Sequence, residues 1–305
     1  MENGMKRPIP LKTGDTIAIV APAGAARDPQ AVVRGIRILN EMGFRVETKY
    51  LNSAAHRYLA GDDACRAQAL KDAFLDDEVQ GIICLRGGYG AMRILDRLSY
   101  DQISGRPKIF VGYSDVTALH TVLNQICGMI TFHGPMVASD LGGEIDAVSI
   151  KSLYAALTGQ YAHTDLYINQ QKPEMIQCGR AEGVLCGGNL TLLTSTLGTP
   201  YEIDTAAKLL VLEEIGETPY RIDRLLTQLR LSGKLGNCAG FVIGDFLLED
   251  GTDAEVELYE IIKEILAPYR KPILFCRGIG HSSPKLTLPL GMRAEIGPTG
   301  LRLIL

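Results

Sequence analysis

The chain has 305 residues, of which 46% are hydrophobic and 22% charged, with a formal net charge of −4. These values fit a globular protein with a sizeable core and about two domains. No basic stripe is present and the aromatic residues do not interleave with Lys or Arg, which excludes a nucleic-acid-binding surface. No apolar stretch approaches the length of a membrane span.

The first half alternates short apolar runs with helical patterns. Thr16 to Ala21 predicts a strand, Asp28 to Met42 a helix ended by Gly43, and Phe44 to Thr48 a second strand. Lys6 and Arg7 precede the first run, and Ala21-Pro-Ala23 resembles a cleavage site. Asp15 and the shortness of Ile17 to Ala21 favour a buried strand over a secretory leader. Asp62 to Leu75 reads as a helix with acidic residues at its start, as the helix dipole favours. Gly81 to Leu85 is a buried strand, Ala91 to Leu98 a helix, Ile109 to Val111 a strand, Val116 to Ile126 a helix, and Met129 to Phe132 a strand. Such alternation predicts a parallel α/β sheet.

From Ile150 to Gly179 the pattern weakens, and Gln170-Gln-Lys-Pro173 breaks regular structure. The expected organisation is a first domain over 1–150, a linker over 151–179 and a second domain over 180–305. In the last, Gly183 to Cys186 reads as a strand, Leu190 to Leu197 as a helix, and Lys208 to Leu212 as a strand. Pro219 to Leu231 reads as a helix with Pro at its start and Gly233 beyond its end. Ala239 to Phe246, Ile273 to Cys276, Ala294 to Ile296 and Leu301 to Leu305 read as strands, and Asp253 to Ala267 as a helix stopped by Pro268.

Seven scattered cysteines form no Cys-x-x-Cys, and the five histidines form no His-x-x-x-His pair. This pattern predicts reduced core cysteines in the cytosol, with no disulfide framework and no metal site; no cofactor is expected.

Three polar residues follow apolar strands, where open α/β sheets place their functional crevice. Ser114 follows Ile109 to Val111 through Gly112-Tyr113, Glu213 ends Leu209 to Leu212, and His281 follows Ile273 to Cys276 through Arg277-Gly-Ile-Gly280. A serine on a tight strand-to-helix turn projects its hydroxyl beside free backbone N–H groups. The order Ser, acid, His is that of α/β serine hydrolases, in which the acid orients the imidazole that activates the serine. Taken singly, each has a plainer reading: Ser114 as a helix cap, Glu213 or its neighbour Glu214 as a solvated acid, His281 as a structural loop residue. Arg86-Gly-Gly-Tyr-Gly90 follows a buried strand and would let backbone N–H groups approach a substrate carbonyl. It lacks the third glycine of a dinucleotide fingerprint. Ser282-Ser-Pro-Lys285 matches Ser-x-x-Lys, but Pro284 opposes the helix that motif needs.

Together, Val111-Gly-Tyr-Ser-Asp115, Arg86-Gly-Gly-Tyr-Gly90, Cys186-Gly-Gly-Asn-Leu190, Leu212-Glu-Glu-Ile-Gly-Glu217 with Tyr220 and Asp223-Arg224, and Gly280-His281 followed by Leu286-Thr-Leu-Pro289 resemble the LD-carboxypeptidase family. The five motifs lie in family order between Arg86 and Pro289, and the resemblance runs from about Thr16 to Ile296. The resemblance implies an α/β fold: an N-terminal parallel-sheet domain similar to class I glutamine amidotransferases, and a C-terminal mixed-sheet, partly barrel-like domain, with the active site between them. It implies a catalytic triad of Ser114, Glu213 and His281, and oxyanion donors on the backbone of Asp115 and of Gly88. The implied reaction is hydrolysis of an L,D peptide bond, releasing terminal D-alanine from a murein tetrapeptide. Related microcin-immunity members cut an amide in a peptide-nucleotide toxin. The leaving residue carries a carboxylate, so Arg86 is a candidate to bind it, and equally to make a structural salt bridge. Asn189, after two glycines, is a candidate for the peptide or equally for a turn, and Glu217 is a candidate for a diaminopimelate side chain. A homodimer acting on a small peptide or muropeptide in the cytoplasm is the implied setting. An alternative of another class is a non-catalytic ligand-binding module on the same scaffold.

Overall fold

A computed structural model describes residues 4–51, 55–160, 174–249 and 252–304. In chain order the elements are β1 (Thr16–Val20), α1 (Pro29–Glu41), β2 (Arg45–Glu47), α2 (Asp63–Leu75), β3 (Gly81–Cys84), α3 (Tyr100–Ser104), β4 (Ile109–Gly112), α4 (Thr117–Gln125), β5 (Thr131–His133) and α5 (Ala147–Leu157). There follow β6 (Glu174–Gln177), β7 (Ala181–Asn189), α6 (Leu190–Ser195), β8 (Leu209–Glu217), α7 (Pro219–Leu231), α8 (Lys234–Asn237), β9 (Gly240–Leu248), α9 (Thr252–Leu266), β10 (Ile273–Phe275), β11 (Leu288–Leu290), β12 (Arg293–Gly297) and β13 (Gly300–Leu303). Two compact units form: Met1–Tyr161 with Thr287–Gly291, and Ala162–Leu286 with Met292–Leu305.

The first unit is built on a six-stranded sheet of order β11-β5-β4-β3-β1-β2. All its pairs are parallel except β11 with β5. Helices cover the central strands, so β1, β3 and β4 read as continuous apolar runs rather than alternating ones. Asp28 caps α1 by accepting from the Gln30 N–H at 2.8 Å, and Asp62 caps α2 by accepting from the Cys65 N–H at 2.7 Å. Strand order reverses between β1 and β3, which makes the carboxyl ends of these two strands the switch point where α/β sheets bind ligands.

The second unit carries a seven-stranded mixed sheet of order β13-β12-β7-β8-β9-β10-β6. Strands β7 to β10 are parallel to one another; β12 and β6 flank them antiparallel. Helices α6, α7 and α9 bury Leu193, Leu226, Leu229 and Ile262 against Leu210 and Phe241. The chain is thus α/β with one mostly parallel sheet and one mixed sheet.

Several elements differ from expectation. Ala91–Arg97 is a 3-10 helix rather than an α-helix. Strand β8 runs through the two glutamates to Glu217, because Glu213 and Glu214 are buried on its two faces. The expected linker, 151–179, overlaps α5 at its start and β6 near its end. Helix α5 is capped by Asp146 on the Val148 and Ser149 N–H groups, and its small residues dilute the apolar period. Residues 161–173, with Gln170 to Pro173, lie outside the described residues. Strand β11 was unexpected: it has three residues, one of them Pro289.

Candidate active site

Ser114 sits where β4 gives way to a 3-10 turn, Ser114–Val116, and then to α4. A side chain at Gly112 would come within 2.8 Å of Val116 Cγ1, so a glycine is needed for the chain to fold back this tightly. Ser114 itself has φ +62, a left-handed conformation that costs a non-glycine residue and is found where a side chain must be aimed. The turn is braced from below by His120, whose Nε2–H donates to the Gly112 carbonyl at 2.8 Å while Nδ1 meets the Thr131 hydroxyl at 2.8 Å. Complete burial pushes the His120 pKa down to about 3, so the ring is neutral.

The glycine run after β3 lies directly against this turn. A Cβ at Gly87 would stand 2.9 Å from Ser114 Cβ, 3.0 Å from its Oγ and 3.5 Å from the Asp115 nitrogen. The Gly87 carbonyl accepts from the Gly24 N–H at 3.1 Å. The peptide is trans, so the Gly88 N–H points the opposite way, away from Gly24. Gly88 has φ +106, again a glycine conformation. Arg86 reaches back toward this loop, its Nη1 donating to the Ala25 carbonyl at 3.3 Å. Asp115 is buried, and its Oδ2 accepts from the Ala91 N–H at 2.7 Å. Burial raises its pKa to about 6.

In the second unit, Glu213 is fully buried and its Oε2 lies 2.7 Å from Nδ1 of His281, a side chain only 10% exposed. The carboxylate fixes the proton on Nδ1 and places the lone pair on Nε2. The loop that carries His281 is tied to β9. The Asp245 N–H donates to the Ile279 carbonyl at 2.7 Å, and the Asp245 carboxylate accepts from the Gly278 N–H at 2.7 Å and from the Ser282 hydroxyl. Burial raises the Asp245 pKa. Gly280, at φ +132, lets the loop pass so close to Glu213 that a Cβ there would stand 3.0 Å from Oε2. Lys285 is buried and donates to the Gly280 carbonyl at 2.9 Å. The Ser-x-x-Lys match therefore serves to hold this loop.

Adjacent strand residues face opposite ways, and the two glutamates separate accordingly. Glu214 turns to the start of α6, accepting from Asn189 Nδ2 at 2.9 Å and from the Thr191 N–H at 2.8 Å. Asn189 Oδ1 accepts from the Leu192 N–H at 3.2 Å and so caps α6. Burial raises the Glu214 pKa. Glu217, at the end of β8, pairs with Arg221 at 3.5 Å. The first unit thus gathers Ser114, Asp115, Gly87, Gly88 and Arg86, and the second gathers Glu213 with His281. Among the described residues no cluster of three or more His, Cys, Asp or Glu is placed to hold a metal ion, and no helix is long and apolar enough to cross a membrane. Sequence reasoning missed Asp245, although it interrupts the apolar run of β9 as Glu213 interrupts that of β8. It also missed His120, which carries no local signal.

Two profiles of known families match: residues 17–134 match the LD-carboxypeptidase N-terminal domain and residues 182–296 the C-terminal domain. The chain belongs to the LD-carboxypeptidase family. Among LD-carboxypeptidase relatives, the probable murein peptide carboxypeptidase of Bacillus subtilis is 40% identical over 294 residues, covering 95% of this chain and 91% of that protein. The crystal structure of muramoyltetrapeptide carboxypeptidase from Oxalobacter formigenes superposes with a TM-score of 0.81 at 30% identity, covering 94% of this chain and 96% of that one. The microcin C7 self-immunity protein MccF in complex with glutamyl sulfamoyl guanosine has a TM-score of 0.88 at 25% identity, covering 97% of both chains.

Proposed function

We propose that this LD-carboxypeptidase is a serine enzyme that hydrolyses an L,D peptide bond and releases the terminal D-alanine of a murein tetrapeptide. The observation that carries the reading is the His281 Nδ1 to Glu213 Oε2 contact of 2.7 Å, with the carboxylate fully buried. An imidazole so oriented is a general base with its acceptor nitrogen fixed. Ser114 Oγ attacks the carbonyl that precedes D-alanine, and His281 Nε2 takes the hydroxyl proton. The N–H groups of Asp115 and Gly88 stabilise the oxyanion. Collapse breaks the C–N bond, and His281 passes its proton to the leaving amine. Water then repeats the sequence on the acyl-serine. Glu213 stays ionised and stabilises the imidazolium. Arg86 is the proposed partner of the leaving carboxylate; Asn189 and Glu217 are proposed to contact the rest of the peptide. The setting we propose is cytoplasmic, as a homodimer, with neither metal nor cofactor.

A second reading, an amide hydrolase acting on a peptide-nucleotide, is favoured by the likeness to a microcin-immunity protein that binds a sulfamoyl nucleoside. Mass spectrometry separates the readings. The protein is incubated with an L,D-tetrapeptide, an all-L control and an aminoacyl sulfamoyl adenosine. Loss of one alanine from the first alone, abolished by Ser114→Ala, is the expected result. Cleavage of the nucleoside alone establishes the second reading. No cleavage, with Ser114 resistant to a fluorophosphonate, points to the non-catalytic binding module.

A further inference from the structure

The Gly90–Ala91 peptide bond is gripped from both sides. Its carbonyl accepts from Arg66 Nη1 at 2.8 Å, and its N–H donates to Asp115 Oδ2 at 2.7 Å. Both side chains are 1% exposed. A buried cation therefore meets the oxygen end of the peptide dipole and a buried carboxylate meets the nitrogen end. Arg66 also donates to the Pro22 carbonyl after β1 and pairs with Asp63 at the start of α2. Asp63 in turn holds Arg93 at 2.8 Å. The packing leaves no slack: a Cβ at Gly90 would stand 2.7 Å from Leu59 and 2.9 Å from Arg66 Nη1.

The second oxygen of Asp115 has no hydrogen-bond partner among the described residues. Burying a carboxylate with one oxygen unsatisfied is costly, so stability is a poor explanation for its presence. Position explains it better. Asp115 directly follows Ser114, and its backbone nitrogen lies 3.5 Å from where a Cβ at Gly87 would stand, beside the serine hydroxyl at 3.0 Å. The residue that offers one proposed oxyanion donor thus reaches across, through its side chain, to the loop that offers the other.

We propose that Asp115 and Arg66 are positioning residues that lock the Arg86–Gly90 loop to the Ser114 turn, so that the Gly88 and Asp115 N–H groups keep a fixed separation. This rests on the oxyanion assignment made under the proposed function. Preorganised donors stabilise developing charge without reorganising during the reaction, so a loosened loop lowers kcat rather than raising KM.

The test compares Asp115→Asn, which keeps an oxygen to accept from Ala91, with Asp115→Leu, which is similar in size and keeps none. Three readouts are taken on each: thermal unfolding, amide hydrogen exchange at 88–91, and the rates of tetrapeptide turnover and of Ser114 phosphonylation. The expected result for Asp115→Leu is a folded protein with exchange at Ala91 faster by at least about tenfold. Its kcat and phosphonylation rate should fall by about 100-fold with KM changed less than about threefold. Asp115→Asn should recover most of both rates. Arg66→Met should reproduce the exchange effect if Asp115→Leu does not fold. Unchanged exchange and rates within about twofold in a folded Asp115→Leu or Arg66→Met overturn the proposal. A wild type that ignores the tetrapeptide refutes the proposed function alone, because exchange and phosphonylation still decide this inference.

Discussion

His281 directs Nδ1 at the carboxylate of Glu213, which has no solvent exposure, while the next residue, Glu214, turns to the opposite face of β8 and holds the start of α6. The two neighbouring acids therefore have separable roles. Glu213→Gln should keep the fold and lower kcat by about 10⁴, as expected when the acid that sets the imidazole tautomer is lost. Glu214→Gln should act mainly on stability, lowering the melting temperature with a much smaller effect on kcat. Steady-state kinetics and thermal unfolding of the two variants decide this.

Gly87 is the contact point between the glycine run and Ser114. It needs no positive φ, and the nearest obstacle to a side chain is the serine itself, 2.9 Å away at Cβ and 3.0 Å at Oγ. Gly87→Ala should therefore lower kcat by at least about 100-fold, since a displacement of this size misplaces the reacting atoms. Gly88→Ala meets no atom closer than 3.7 Å but needs φ +106, so it should cost about 1 kcal/mol or more of stability from backbone strain. The pair is checked by comparing kcat with chemical unfolding for each variant.

His120 supplies a pH signature. Its folded pKa, about 3, lies below the ordinary value of 6.5, so the unfolded chain binds the extra proton first. Its contribution is present above about pH 6.5 and is lost as pH falls toward 3, at a limiting slope of about 1.4 kcal/mol per pH unit. Urea unfolding between pH 6.5 and 4 should give a shallower pH dependence for His120→Asn than for the wild type. Equal slopes would mean that His120 takes up a proton in the folded protein.

Asp115 has the opposite sign. Its folded pKa, about 6, exceeds the unfolded 3.8, so the folded state holds the proton more tightly and the group destabilises the fold above about pH 6. Asp115→Asn should then be more stable than the wild type at pH 8, by roughly 1–3 kcal/mol, with the gap closing as pH falls through 6 toward 4. A wild type that is the more stable at pH 8 and not at pH 4 would contradict it. The charged group facing this carboxylate is Arg66; burial pushes the nearby Cys84 thiol up, so it stays neutral.

Asp245 anchors the loop that carries His281 through the Gly278 N–H and the Ser282 hydroxyl. Asp245→Ala should leave Gly278 unsatisfied, cost about 2 kcal/mol of stability and reduce kcat without touching Ser114. Calorimetry and an unchanged intrinsic reactivity of Ser114 toward a small ester would establish that the defect lies in the histidine loop.

Much of this was legible in the sequence because buried parallel strands are unbroken apolar runs, and polar residues just beyond them stand out. Ser114, Glu213 and His281 were visible for that reason. The residue pattern alone left Glu213 and Glu214 equivalent and only the family resemblance selected Glu213, since which of the two meets His281 depends on which face of β8 meets the loop after β10. Arg66 gave no signal: a charged residue in the first turn of a helix looks solvated, and only the convergence of Pro22, Gly90 and Asp63 around it makes it buried. Asn189 read equally as a peptide ligand or a turn residue. Its amide is engaged by Glu214 and α6, contacts formed by residues 25 and 3 positions away.

Strand β11 is only three residues long, yet it completes the edge of the first sheet with residues from near the other end of the chain. The polypeptide leaves the first unit at Tyr161, returns for Thr287–Gly291, and leaves again. During synthesis, then, β5 must wait with one edge unpaired until nearly all of the second unit has emerged. A fragment ending before Thr287 would carry Thr131–His133 as an open edge prone to pairing with other chains. The two units are thus not interchangeable cassettes: maturation of the half that bears Ser114 is timed by translation of the half that bears His281.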